Sequence, residues 1–127
     1  MKTKGIVIRK MNVDEVGRRS HPSKKQLEKQ VMTLHRKLQK SDDVLTEFTI
    51  EKDGHGRGLH THLNIMFKDE NNLLDGLKKF IGGNTWNKKN DRLECNGQYG
   101  EIQVHNIHDS VGFSRYLNKT NPSKNLI

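Results

Sequence analysis

Residues 44–67 read Val44-Leu-Thr-Glu-Phe-Thr-Ile-Glu51, then Lys52-Asp-Gly-His-Gly-Arg-Gly58, then Leu59-His-Thr-His-Leu-Asn-Ile-Met-Phe67. Side chains two apart on a strand point to the same face, so each run sorts by parity. In the first run Val44, Thr46, Phe48 and Ile50 share one face, and Leu45, Glu47, Thr49 and Glu51 share the other. In the second, Thr61, Leu63, Ile65 and Phe67 oppose His60, His62, Asn64 and Met66. Residues 52–58 hold three glycines and suit a hairpin connection. The reading is an antiparallel pair with an apolar face for helices and a polar face for chemistry.

Outward from this pair, residues 5–10 are short and β-branched and read as a first strand. Residues 11–22, with Gly17 and His21-Pro22, read as a loop. Ser23 can cap a helix from Lys24 to about Lys40, striped by Leu27, Val31, Leu34 and Leu38. A second helix is expected over 70–81 from Leu73, Leu74, Leu77, Phe80 and Ile81. Residues 82–100 read as a long polar loop or weak hairpin, and 101–107 as a strand. Asp109 or Ser110 can cap a last helix over 111–118, which Pro122 limits, and the tail to Ile127 is expected to fray. The fold class is therefore α+β: a central antiparallel sheet with helices packed against it, one domain over 1–127 with no helicase domain.

The chain carries a net charge of +8 and a pI near 9.7. That favours a polyanionic partner such as nucleic acid. Cys95 is the only cysteine, so no intramolecular disulfide is possible, and its setting beside Glu94 and Asn96 reads as incidental to catalysis. The N-terminal run lacks the extended apolar region of a signal peptide, and no segment is long enough to span a bilayer. The expectation is a soluble intracellular protein of the host cytoplasm, or of the nucleus in a eukaryotic host.

His60 and His62 can converge on one metal ion, because both point from the same strand face. Glu51 is the first candidate for a third ligand and Glu47 the second; Asp53 and His55 lie in the turn. Imidazole nitrogens suit transition metals, and an added carboxylate makes the site accept Mn²⁺ or Mg²⁺. Such a metal polarises and orients a phosphodiester. On the last helix Tyr116 and Lys119 stand at i and i+3, on one face. A phenol with a pKa of about 10 is a poor nucleophile at neutral pH, and a neighbouring ammonium favours the phenolate. Tyr99, in Gly97-Gln-Tyr-Gly100, reads as a structural turn residue.

Glu51, His60-Thr61-His62 and Tyr116-Leu117-Asn118-Lys119 together resemble the HUH endonucleases, in the replication-initiator (Rep) branch with a single tyrosine. The resemblance runs from the first strand to Lys119. It implies metal-dependent nicking and joining of single-stranded DNA through a 5′-phosphotyrosine, at a viral, phage or plasmid replication origin or terminal hairpin. On that resemblance Tyr116 is the nucleophile, Lys119 its catalytic partner, and His60, His62 and Glu51 hold the metal. Arg18, Arg19, Arg57, Lys88, Lys89 and Arg115 would contact phosphates, and Trp86 would stack a base. A separate helicase would supply unwinding, and a homodimer would bring two tyrosines together. Thr61 stands where the family usually has a bulky apolar residue.

Three other readings compete. A single-tyrosine insertion-sequence transposase of the same superfamily would use the same residues on transposon ends. A cupin-type metal protein fits Gly54 and His60-x-His62, but Met66 and Phe67 stand where its glutamate belongs. A non-enzymatic nucleic-acid-binding module explains the charge but not the convergence of Glu51 with the two histidines.

Overall fold

The structure is a computed structural model that describes residues 2–52, 58–106 and 124–126. The described elements run in order β1 (Lys2–Lys10), β2 (Asn12–Val13), β3 (Arg19–Ser20), α1 (Lys24–Gln39), β4 (Leu45–Lys52), β5 (Leu59–Phe67), α2 (Glu70–Phe80), β6 (Asn87–Lys89), β7 (Arg92–Gly97), β8 (Gly100–Asn106) and β9 (Lys124–Leu126). The described strands form a seven-stranded antiparallel sheet in the order β6-β7-β8-β1-β5-β4-β9, beside a small β2–β3 pair. The four strands β8-β1-β5-β4, with α1 and α2 as crossovers, make a β-α-β-β-α-β unit. The fold is α+β, as the residue pattern predicts.

One face of the sheet is apolar because register carries the same parity from strand to strand. Ile6 pairs with Leu63 on one side and Val104 on the other; Leu63 pairs in turn with Phe48. All four are buried, and α1 and α2 cover them with Leu27, Val31, Leu34, Leu38, Leu73 and Leu77. The helix ends are set by local chemistry. Ser23 and Gln26 form a reciprocal capping box at the start of α1, and the Asp69 carboxylate accepts from Asn72 N–H at the start of α2. The buried His35 ring of α1 meets the Thr46 hydroxyl of β4 at 2.8 Å, tying helix to sheet through a polar pair.

Three segments differ from the sequence expectation. Residues 82–100 are neither loop nor weak hairpin alone: they contain β6 and β7, which extend the sheet by two strands. Their inward residues are only Leu93 and the buried Cys95, too few to give a period-2 signal. Asn90 turns the β6–β7 hairpin at φ 51°, a left-handed conformation that asparagine tolerates. The loop over 11–22 contains the short β2–β3 pair, closed by the Asp14 carboxylate accepting from the N–H groups of Val16 and Arg18. Lys124–Leu126 does not fray but pairs with β4. The expected helix over 111–118 lies outside the described residues. No helix among the described residues is long and apolar enough to cross a membrane.

Gly97, at the end of β7, packs against the last turn of α2. A Cβ there would run into the Ile81 carbonyl oxygen and the backbone of Gly82 and Gly83. Backbone cannot rotate away as a side chain can. Gly97→Ala is therefore expected to destabilise the protein by about 1–3 kcal/mol, read as a lower midpoint in urea unfolding. An unchanged midpoint would mean that the junction of α2 and β7 is loose.

Candidate metal centre

The helix-free face of the sheet presents the opposite parity: Glu51, Thr49 and Glu47 from β4, His60, His62 and Asn64 from β5, and Arg9 from β1. Glu51 pairs directly with His60, and Glu47 pairs with Asn64 one repeat further along. Register thus brings Glu51, rather than Glu47, to the two histidines.

The His60 and His62 Nε2 atoms are 2.7 Å apart, with the rings edge-to-face. Glu51 Oε2 is 3.7 Å from His62 Nε2 and 3.9 Å from His60 Nε2. All three ligand atoms fall within 4.8 Å of one another. Nitrogen and oxygen ligands bind a divalent transition metal at about 2.0–2.2 Å, so two ligands of one ion stand roughly 3 Å apart. The three side chains fit an ion with sub-ångström adjustment. The second carboxylate oxygen, Glu51 Oε1, is buried and accepts no hydrogen bond among the described residues. Leaving an acceptor so placed costs about 1–3 kcal/mol.

The protonation state suits coordination. Burial is the first cause that lowers the His62 pKa, to about 4, followed by the charges of His60, Arg9 and His105. His62 is therefore neutral near pH 7, with a lone pair available, and its contacts with Glu51 are not ion pairs. Between pH 6.5 and about 4 the unfolded chain takes up the proton first, so acidification through this window removes stability from the metal-free protein. Burial also lowers the pKa of His105, helped by Arg92 and opposed by Glu94.

The other sequence candidates scatter. Arg19 of β3 reaches back to the sheet, where its guanidinium donates to the carbonyls of Gly97 and Gln98 at 2.9 Å. Arg18 is exposed beside it. Lys89 lies on the metal-site face but on β6, four strands from His60, roughly 19 Å at ~4.8 Å per strand. There it pairs with Glu94 at 3.5 Å. Lys88 has the opposite parity. Trp86 is half-buried against the core and donates its indole N–H to the Leu74 carbonyl of α2. Cys95 is fully buried, and burial pushes its thiol pKa up, which disfavours a thiolate nucleophile. Arg57, Arg115, Tyr116 and Lys119 lie outside the described residues. Sequence reading missed Arg9, whose charge reaches His62, and Glu101 beside it. The parity of residues 5–10 against the histidine strand was the signal for Arg9.

Comparison with known proteins finds no matching family model, no matching curated protein and no matching solved structure.

Proposed function

We propose that the chain is a metal-dependent endonuclease and strand transferase of single-stranded DNA, of the single-tyrosine Rep type, acting at a replication origin or terminal hairpin. The observation that carries this reading is the convergence of Glu51, His60 and His62 on the sheet face that α1 and α2 leave free. The net charge of +8 supports a polyanionic substrate. A bound Mn²⁺ or Mg²⁺ would supply Lewis-acid polarisation of the scissile phosphate.

The chain's own residues have separate tasks in this scheme. The His60 and His62 imidazoles and the Glu51 carboxylate would hold the ion against the sheet, where it could also meet phosphate oxygens. The Tyr116 oxygen attacks phosphorus and gives up its proton; the bond from phosphorus to the 3′ oxygen breaks, and that oxygen leaves as a hydroxyl after taking a proton. Lys119 stabilises the phenolate or relays that proton. The 5′ phosphate stays on the tyrosine until a 3′ hydroxyl reverses the step and joins the strand. A transposase of the same superfamily would use the same residues on other DNA ends.

The test is incubation with Mn²⁺ and single-stranded oligonucleotides labelled at either end, followed by denaturing protein electrophoresis. The expected product is an adduct carrying the 3′ fragment of the substrate, with release of an unlinked 5′ fragment. Tight binding with neither adduct nor cleavage across many sequences, in Mn²⁺ and Mg²⁺ alike, would reject the enzyme in favour of a binding module.

A further inference from the structure

Arg9, Glu101 and Asn96 stand side by side on β1, β8 and β7, all on the metal-site face: Arg9 pairs with Glu101, and Glu101 pairs with Asn96. The Arg9 guanidinium lies 3.7 Å from the Glu101 carboxylate. These three line a cavity of about 320 Å³, which Arg19 and Met11 close from the side. The backbone of Gly97 and Gly100 also lines it. The volume is at the lower end for a ligand pocket, the size of one small planar group rather than a run of them. The cavity also adjoins the metal triad. Ile8 pairs with Thr61, so the next residue of β1, Arg9, comes level with His60. Its charge is felt at the His62 ring.

A carboxylate is out of place in a pocket meant only for phosphate, because like charges repel. It belongs where a base offers N–H groups. In the order Arg9, Glu101, Asn96 the row presents a donor, two acceptor oxygens, then an amide that can donate. Guanine presents the complement in the same order: the O6 acceptor and the N1 and N2 donors on its Watson–Crick edge, then the N3 acceptor on the adjoining sugar edge. Guanine alone sets two N–H groups side by side for the two oxygens of one carboxylate. Cytosine and adenine offer one donor group, an exocyclic amine with a ring acceptor beside it, and thymine offers one N–H between two carbonyls, so each would set an acceptor against the second Glu101 oxygen. Met11 supplies an apolar surface against the ring.

Resting on the endonuclease reading above, we infer that this pocket binds a single unpaired guanine, one or two nucleotides from the phosphate cleaved at the metal site, and so sets part of the sequence specificity. Glu101 accepts from guanine N1–H and N2–H, Arg9 donates to O6, and Asn96 donates to N3. The Arg9–Glu101 ion pair holds both groups in place before the base arrives, which limits the ordering needed on binding.

The experiment is selection of a randomised single-stranded DNA library on the full chain in EDTA, where nothing is cut, with sequencing of the retained strands. The wild-type protein should fix guanine at one position. Glu101→Gln should lose about ten-fold or more of that preference while its thermal unfolding stays the same, since Glu101 is a half-exposed surface residue. Asn96→Ala should weaken the same position. Retention without a fixed guanine, or a guanine preference that both variants keep, would overturn the pocket and leave the endonuclease reading standing. No retention of any oligonucleotide would overturn both.

Discussion

His60→Ala and His62→Ala should each weaken Mn²⁺ binding by roughly 100-fold or more, measured by calorimetric titration of the purified chain. Each substitution removes one of three protein ligands, and the geometry offers no replacement within the triad. Losing a group that merely orients a ligand already costs 10–100-fold in affinity; losing a ligand itself should exceed that. Glu51→Gln belongs in the same series, because Glu51 Oε2 is the oxygen facing both rings. Glu47→Gln is the control: it pairs with Asn64, a full repeat from the rings, and should leave affinity within about two-fold. Heat denaturation gives an independent reading. Metal at 100 times its Kd stabilises the native state by about 2.7 kcal/mol, so the wild type should melt higher with Mn²⁺ and lose that gain to EDTA, and the alanine variants should keep at most about 0.4 kcal/mol of it. Wild-type-like affinity in His62→Ala would mean that the rings are only a buried polar pair.

Much of this centre is legible in the amino-acid sequence, and the reason is geometric. Strand parity is a strict period of two, so Thr61, Leu63 and Ile65 facing the helices forces His60 and His62 to face away from them. The choice between Glu51 and Glu47 is only ranked there, by nearness to the turn, because it depends on register, and register depends on the length of the turn. The pairing of Glu51 with His60 decides it. The strands β6 and β7 escape because they lie at the sheet edge, where one buried residue, Cys95, and the half-buried Leu93 are all the apolar signal there is. The tail escapes for a similar reason: Lys124–Leu126 is held by backbone pairing to β4, which leaves no mark on composition. Trp86 reads in the sequence as a base-stacking platform amid lysines; in the structure its indole N–H donates to the Leu74 carbonyl and its ring is half-buried against the core, a packing role that composition does not mark. Arg9 and Glu101 carry no motif at all; only the pairing of three strands makes them neighbours.

Tyr116→Phe should abolish the covalent adduct and strand cleavage, by at least about 10³-fold, while single-stranded DNA binding and Mn²⁺ affinity stay near wild type. The change removes one oxygen. If that oxygen is the nucleophile, no neighbouring group takes its place: Tyr99, the only other tyrosine, has its ring against Lys10 at 4.8 Å, on the other parity of β1 from the metal site. Lys119→Ala should be milder, since an ammonium that assists the phenolate contributes only part of the rate, and its loss should be partly recovered at higher pH as the phenol ionises unaided. The pair of variants separates two failures. An adduct that persists in Tyr116→Phe but disappears in His60→Ala would keep the metal centre and discard this nucleophile. Cleavage without any adduct, again dependent on His60, would instead identify water as the attacking group and a hydrolytic nuclease in place of a strand transferase.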